Sequence, residues 1–163
     1  PFMRPAELAR DDTPGIAPVI HMLATIQPGY DLVVLLQPTS PLRSVDDIDG
    51  AISFMIDRQA KACVTVVEPD KSPYWMYSLQ SSGELRPLLS GDYTHRQDIP
   101  LVYALNGAVY VAESNWLVKF HDFVTEETVA YIMTKEHSID IDSEIDLIMA
   151  EKLLNNMTMA ENK

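Results

Sequence analysis

Two short apolar runs separated by a helical segment constrain the fold most strongly. The runs YDLVVLLQ (residues 30–37) and ACVTVVE (residues 62–68) lack the polar alternation of half-exposed strands, which is typical of strands covered on both faces. Between them, Ser44 precedes a helical pattern and Asp47 follows three residues later, as in a capping box. The apolar residues of this helix recur at helical spacing and are Ile48, Ala51, Ile52 and Met55. This strand, helix, strand succession predicts a right-handed crossover and a parallel strand pair in an α/β sheet.

The remainder of the chain continues this plan with one interruption. Residues 68–105 contain prolines, aromatic residues and the turn sequence SSGE, which predicts an excursion of antiparallel strands. After it, GAVYVAE predicts a strand, SNWLVKF a short helix and TVAYIMT another strand. A final helix is predicted from about Glu144 to Asn155, with Ile145, Ile148, Met149 and Leu153 on its apolar side.

Composition narrows the class of protein. The chain has 163 residues, which suits one domain with a sizeable core, and its net charge of -12 argues against broad binding to nucleic acid or anionic membranes. No apolar run of about 18 residues and no charged-then-apolar leader is present, so we expect a cytoplasmic protein. The single cysteine, Cys63, lies in an apolar run, where a buried structural thiol is expected.

The sequence SIDIDSEID (residues 138–146) holds two closely spaced acids. In extended backbone, Asp140 and Asp142 project to the same face, while Ile139 and Ile141 project to the opposite one. Two such carboxylates repel unless a cation or hydrogen bonds neutralise them, and Mg²⁺ is commonly held by one or two carboxylates together with substrate phosphates. Alternatively, the acids lie on a solvated loop, with Ser143 as N-cap and Asp146 completing a capping box.

The loop QPTSPLR (residues 37–43) leaves a predicted strand at its carboxyl end, where open α/β sheets bind ligands. It offers the Gln37 amide, the hydroxyls of Thr39 and Ser40 and the guanidinium of Arg43. If residues 129–140 return to the sheet, this loop and SIDID line one crevice. The alternative is that the prolines only shape a turn and Arg43 is solvated. Arg4 precedes a helix start and is either part of an anion site or an ordinary surface arginine.

Four segments together resemble one enzyme family. RPAELARDDTPG, LLQPTSPLR, ALNGAVYV and SIDIDSEIDLIMAE are similar, in this order, to motifs of the cytidylyltransferases that activate nonulosonic acids, the CMP-sialic acid synthetase family, which includes legionaminic and pseudaminic acid enzymes. The resemblance implies a Rossmann-like nucleotidyltransferase fold, a three-layer α/β sandwich spanning residues 1–163. It also implies the reaction of CTP with a nine-carbon sugar acid to give the CMP-sugar and pyrophosphate, for lipopolysaccharide, capsule or flagellar glycan biosynthesis.

The resemblance assigns roles to individual residues. Asp140 and Asp142 would bind Mg²⁺, and Asp142 would also lie near the attacking hydroxyl. Gln37 and Arg96 would hold the sugar acid, with Arg96 paired to its carboxylate. The remaining substrate-binding residues would be Thr39, Ser40, Arg43, Asn106 and, near the nucleotide, Arg4. Taken locally, Arg96 in THRQD also fits a surface charge, and Asn106 also fits a turn residue before Gly107.

Residues 68–105 match the family's dimerisation arm, which implies a homodimer. The arm is aromatic, as interfaces often are, although these side chains could equally pack it onto its own domain. Its aromatic residues are Tyr74, Trp75, Tyr77, Tyr93 and Tyr103.

The chain also departs from the family pattern. Nothing in it matches the basic loop R-x-G-S-K-x-x-x-x-K-N that cradles the triphosphate, and the six glycines lie outside such a pattern. We therefore expect a form shortened at its N-terminus, without the first strand and phosphate loop, that is nearly inactive by itself. Some sialic acid enzymes carry basic residues soon after the proline matching Pro73 and at position 104, where this chain has Tyr74, Trp75, Met76 and Ala104. These differences favour a legionaminic-type substrate.

Three other functions could use the same acids or the same fold. Haloacid dehalogenase phosphatases place an Asp-x-Asp motif after their first strand, whereas only 21 residues follow Asp142 here. Nucleotide-sugar glycosyltransferases place the motif in mid-domain and leave QPTSPLR unexplained. A non-catalytic, dimerising remnant that binds only the sugar acid is the third alternative.

Overall fold

The computed structural model describes residues 3–26, 29–91, 93 and 95–161, with the side chains of residues 96, 158, 160 and 161 outside that description. Within these residues, the strands are β1 (Leu32–Leu36), β2 (Ala62–Val67), β3 (Tyr77–Leu79), β4 (Leu85–Pro87), β5 (Ala104–Glu113) and β6 (Thr128–Ile132). The α-helices are α1 (Ile16–Thr25), α2 (Val45–Asp57), α3 (Ser114–Phe120) and α4 (Glu144–Glu161). None of the described helices combines the length and apolarity needed to cross a membrane.

The central sheet has the strand order β1-β5-β2-β6. β5 is antiparallel to both of its neighbours, whereas β2 and β6 are parallel. The prediction that β1 and β2 form a hydrogen-bonded parallel pair is therefore wrong. β1 and β2 point the same way and are connected through α2, but β5 lies between them and hydrogen-bonds to both. The parallel neighbour of β2 is β6 instead.

Helices cover both faces of this sheet. On one face, α1 and α3 contribute Val19, Trp116 and Leu117 to a core with Val64 and Val33 of the sheet. The opposite core is formed chiefly by α2 and by the other side of β2 and β5, and its buried members are Ala51, Met55, Cys63, Ala108, Val109, Val111 and Met133. Successive residues of β2 thus enter different cores, as expected for a strand buried on both faces. The predicted three-layer α/β architecture is confirmed.

The first turn of α2 is fixed by the predicted capping box. The Ser44 hydroxyl accepts a hydrogen bond from the Asp47 N–H, and the Asp47 carboxylate accepts one from the Ser44 N–H. Each residue satisfies a backbone donor that the helix start would otherwise leave unpaired. Because α2 directly follows the QPTSPLR loop, this cap also determines where that loop ends.

Residues 68–105 form the predicted antiparallel excursion, with one short hairpin. Within the described residues, β3 and β4 pair only with each other. Every residue of both strands is exposed. Leu79 and Leu85, which face each other across the hairpin, are 71% and 63% exposed. A two-stranded hairpin with no covered face is marginally stable in water.

The last helix differs from the prediction in length and burial. α4 continues to Glu161, beyond the predicted end at Asn155. Its predicted apolar side is largely exposed, with Ile145 69% and Ile148 59% accessible, while Ala150 is buried. Other apolar residues, including Leu147 and Leu154, are spread around the helix, so the sequence offers no single apolar stripe for packing.

Cys63 is fully buried in β2, and desolvation raises the pKa of its thiol to about 11. The thiolate is the reactive form, so a thiol-specific reagent at neutral pH should leave the native protein unmodified. Addition of denaturant should then expose one thiol per chain. Ellman's reagent measures both states, and rapid labelling of the native protein would contradict the buried placement.

Candidate active site

The two loops that the sequence places at the carboxyl ends of strands meet in the structure. The Ile141 N–H donates a hydrogen bond of 2.8 Å to the carbonyl oxygen of Thr39. This bond joins the segment that follows β6 to the loop that follows β1, although β5 and β2 lie between those strands. The segments QPTSPLR and SIDID, which are predicted to line one crevice, are therefore neighbours in the structure.

A distortion of β5 lies beside both segments. Between Val64 and Val66 the register of β2 against β5 shifts, which leaves a bulge in β5 opposite Thr65. The Thr65 hydroxyl accepts a hydrogen bond from the Val109 N–H at 2.9 Å, in place of a ladder bond. Gly107, within the bulge, has a φ of 73°, a left-handed conformation that glycine adopts without strain.

The absence of a side chain at Gly107 brings two predicted site residues together. A Cβ at this position would overlap the side-chain oxygen of Gln37 and would lie 3.7 Å from Oδ2 of Asp140. Gln37 and Asp140, separated by more than half of the chain, therefore both approach the same point on the backbone of β5.

Asp140 has a carboxylate that the protein leaves partly unsatisfied. Its Oδ1 is buried and has no hydrogen-bond partner among the described residues. Burial, together with the negative charge of Asp140, raises the pKa of the Tyr110 hydroxyl. A buried carboxylate oxygen without a donor is unfavourable unless another positive or hydrogen-bonding group occupies the site, so Asp140 is a suitable ligand for a cation.

Asp142 is exposed, and the residues just after it cap α4. The Asp146 carboxylate accepts hydrogen bonds from the Ser143 N–H at 2.8 Å and from the Ser143 hydroxyl at 2.6 Å. These bonds lower the pKa of Asp146, with the Ser143 side chain as the largest cause. Since this cap uses Asp146 and leaves Asp140 and Asp142 free, the capping and cation-binding hypotheses are compatible.

Arg43 holds the QPTSPLR loop rather than pointing freely into solution. Its Nη1 lies within hydrogen-bonding distance of three carbonyl oxygens, those of Gln37, Ser40 and Ala108. Partial burial lowers the pKa of this guanidinium. Ser40 is completely buried, and its hydroxyl has no partner among the described residues, whereas Thr39 is exposed. Thr39 is thus accessible to solvent, whereas Ser40 is not.

Asn106 differs from the expected contact with a sugar acid because it is buried and bonded within the protein. Its Oδ1 accepts from the Thr65 hydroxyl and the Ala108 N–H, and its Nδ2 donates to the Ser138 hydroxyl and approaches the sulfur of Met133. These contacts use the hydrogen-bonding capacity of the amide. Asn106 therefore connects the bulge of β5 to the residue two positions before Asp140.

Of the two remaining predicted arginines, Arg4 lies outside this cluster. Arg4 is exposed and lines a separate cavity of about 290 Å³ beside α1, with Pro18 and His21 among its neighbours. The side chain of Arg96 lies outside the described part of the chain, so its predicted role is untested.

Sequence reasoning overlooked Thr65, Ser138 and the packing role of Gly107. A threonine within an otherwise apolar buried strand was the available signal for Thr65, because a buried hydroxyl requires a partner. In the described residues no group of three or more histidine, cysteine, aspartate or glutamate side chains could hold a metal ion. A site with two carboxylates would have to take its other ligands from substrate or water.

The fold matches that of a known nucleotidyltransferase. The crystal structure of 4-diphosphocytidyl-2C-methyl-D-erythritol synthase from Anaerococcus prevotii superposes with a TM-score of 0.60 and 15% identity, over 88% of this chain and 67% of that one. No family model matches the chain. The chain therefore shares the Rossmann-like α/β fold of that structure.

Sequence relatives identify the family. CMP-N,N'-diacetyllegionaminic acid synthase of Legionella pneumophila is 33% identical over 159 residues, which cover 94% of this chain and 68% of the relative. Post-translational flagellin modification protein B of Campylobacter coli is 28% identical over 97% of this chain and 69% of its own length. N-acylneuraminate cytidylyltransferase of Streptococcus agalactiae is 30% identical over 90% of this chain but 35% of its own length. The chain belongs to the cytidylyltransferase family of nonulosonic acids, whose members are nucleotidyltransferases.

Replacing Gly107 with alanine tests whether the Gln37 side chain packs against Gly107. A left-handed conformation costs a residue with a Cβ roughly 1–2 kcal/mol, and the new methyl group must also displace Gln37. Gly83→Ala is a matched control, because Gly83 has a φ of 92° but no neighbour within 4 Å of a Cβ. Urea unfolding should show a larger loss of stability for Gly107→Ala than for Gly83→Ala. Equal losses would mean that Gln37 does not pack against Gly107.

Proposed function

We propose that this protein transfers a cytidylyl group from CTP to a nonulosonic acid. The anomeric hydroxyl oxygen of the sugar acid attacks the α-phosphorus of CTP, and the bond from that phosphorus to the bridging oxygen of pyrophosphate breaks. The hydroxyl loses its proton, and CMP-sugar and pyrophosphate are the products. Because CTP is an intracellular nucleotide, this reaction implies a cytoplasmic location.

One observation supports this proposal most directly, namely the position of Asp140. The residue lies where the loops after β1 and β6 are joined by the Ile141–Thr39 hydrogen bond, beside Gln37 and the bulge of β5. One of its oxygens is buried and has no hydrogen-bond partner in the described part of the chain. An unsatisfied carboxylate in a crevice at strand ends is suited to a cation that accompanies a polyphosphate.

We propose Mg²⁺ as this cation, with Asp140 and Asp142 as its protein ligands. The unpaired Oδ1 of Asp140 and the exposure of Asp142 fit this role. When bound, the ion would neutralise charge on the phosphates and so favour attack at phosphorus. The two acids by themselves provide the carboxylate oxygens that Mg²⁺ prefers.

The substrate contacts are distributed between the crevice and the arm. Gln37 and Thr39 line the crevice and offer an amide and a hydroxyl to the sugar acid. Arg96 is proposed to pair with the sugar carboxylate, since a guanidinium can bind it through two parallel hydrogen bonds. Arg43 acts by holding the loop through the carbonyl groups of Gln37 and Ser40.

A pyrophosphate-release assay with CTP, Mg²⁺ and a panel of nonulosonic acids tests the reaction. The 163 residues contain no R-x-G-S-K loop, so we expect the polypeptide of this sequence alone to bind sugar acid and metal with little turnover. In a protein that joins that loop to these residues, we expect turnover. Asp142→Ala should reduce that turnover by a factor on the order of a hundred, since ligand and positioning contacts are both lost. Asp49→Asn, an exposed carboxylate of α2, should not reduce it.

The binding measurements separate this proposal from the non-catalytic alternative. Metal-dependent binding of CTP would support the enzyme, whereas weak binding of the sugar acid with none of CTP would favour a sugar-binding remnant. Turnover that does not depend on Asp142 would overturn the proposed metal site. Substantial turnover by the 163 residues alone would mean that other residues bind the triphosphate.

Within the panel, we propose a legionaminic-type acid as the preferred substrate. The arm has Tyr74, Trp75 and Met76 directly after Pro73, and Ala104 at the start of β5. Trp75 lines a cavity of about 230 Å³ together with Gln97, the residue that follows Arg96 in the sequence. The Legionella relative, named for N,N'-diacetyllegionaminic acid, adds support. A higher kcat/KM for N-acetylneuraminate in the same assay would contradict this preference.

We also propose that the arm, residues 68–105, forms the interface of a homodimer. Its hairpin is exposed on all sides, and Trp75, Tyr77 and Tyr103 are 43%, 52% and 46% exposed. Exposed aromatic and aliphatic residues on a marginal hairpin gain stability when another surface covers them. A second copy of the chain supplies that surface.

Light scattering after gel filtration tests the dimer. We expect a mass of twice 18.3 kDa, and a monomer for the double variant Leu79→Lys/Leu85→Glu. This variant removes apolar contact area but keeps an attractive cross-strand pair, so the hairpin itself should persist. Ile145→Lys, at a comparably exposed site on α4, is the control and should remain dimeric. A wild-type monomer, or dissociation of the control, would contradict the proposed interface.

A further inference from the structure

His137 and Asp47 form a shielded pair between two elements of the site. Nδ1 of His137 lies 2.7 Å from Oδ2 of Asp47, and their side chains are only 28% and 11% exposed. The other ion pairs among the described residues have side chains that are at least 40% exposed. Water therefore screens the His137–Asp47 contact less than it screens those surface pairs.

Hydrogen bonds from Ser44 fix the Asp47 carboxylate in addition to its contact with His137. Its Oδ2 accepts from the N–H and the hydroxyl of Ser44 at 2.8 and 2.7 Å. Although burial acts to raise the pKa of Asp47, the bonds from Ser44 and His137 together lower it. An ionised carboxylate only accepts hydrogen bonds, so Nδ1 of His137 must carry the proton. The histidine thus donates to an acceptor anchored at the start of α2.

The residues on both sides of Asp140 in the sequence make three hydrogen bonds to other parts of the protein. His137 bonds to Asp47, the Ser138 hydroxyl accepts from Asn106, and the Ile141 N–H donates to Thr39. The Oδ1 atom of Asp140 itself has no partner among the described residues. The position of its carboxylate therefore depends on how its neighbours are held.

We infer that His137 is a positioning residue, which fixes residues 138–142 against the 37–43 loop through its hydrogen bond to Asp47. The bond fastens the turn before Asp140 to the helix that follows that loop. As far as it concerns metal binding, this inference rests on the proposed role of Asp140 as a metal ligand. Its geometric part, the immobilisation of residues 138–142, is independent of any ligand.

Four variants separate positioning from a general contribution to stability. His137→Ala removes the donor, whereas His137→Asn restores one, because the asparagine amide nitrogen can take the place of Nδ1. His121→Asn is the control, since His121 is exposed and ends α3 in a left-handed conformation that asparagine tolerates. Asp140→Asn serves as the reference for loss of a metal ligand.

Two measurements on the 163-residue chain are required. Amide hydrogen exchange by NMR reports on the Ile141 N–H, with the Val64 and Val111 amides of the core for comparison. We expect His137→Ala to accelerate exchange at Ile141 about tenfold, as for loss of one hydrogen bond, without accelerating the core amides. Titration with Mn²⁺ followed by electron paramagnetic resonance should show affinity weakened about tenfold, a common effect of losing a supporting contact. His137→Asn should reverse most of both changes.

Several outcomes would overturn the inference. Unchanged exchange at Ile141 in His137→Ala would show that the pair does not hold the segment. Equal acceleration of the core amides would show a purely structural role, and failure of His137→Asn to restore protection would exclude the hydrogen bond as the cause. If the wild type binds no Mn²⁺, the proposed metal site fails, and exchange at Ile141 alone then decides whether His137 positions the segment.

Discussion

The arrangement of the site depends on the hydrogen bonds made by the Thr65 hydroxyl. It accepts from the Val109 N–H, where the ladder between β2 and β5 is interrupted, and donates to the Asn106 side chain. A bulge in a central strand would otherwise leave buried backbone groups without partners, which is unfavourable by about 1–3 kcal/mol for each group. The threonine thus stabilises a distortion that lets Gly107 turn and bring Gln37 and Asp140 together.

The polar residues of the site divide into those that hold the protein and those that remain available. Asn106 and Arg43 carry polar groups that bond mainly to the protein itself. Asp140 and Asp142 retain free carboxylate oxygens. This division agrees with phosphoryl-transfer chemistry, in which accurate placement of a few charged groups matters more than their number.

The sequence was informative wherever the deciding interactions are local. Ser44 and Asp47 lie three residues apart, so their capping box could be read directly, and the meeting of QPTSPLR with SIDID followed from the rule that ligand loops gather at strand ends. The insertion of β5 between β1 and β2 could not be read in this way, because strand order depends on contacts between distant segments. The orientation of Asn106 was missed for the same reason, since its partners lie on β2 and in the turn before Asp140.

The central position of β5 has a consequence for synthesis on the ribosome. β1 and β2 leave the ribosome before β5, and they do not pair with each other, because Leu32 pairs with Glu113 and Ala62 pairs with Ala112. Until β5 emerges, both strands expose apolar faces and unpaired backbone groups, a state prone to association with other chains. Pairings between such distant segments also form slowly. Between the emergence of β2 and that of β5, the nascent chain is therefore open to association with other chains and to binding by chaperones.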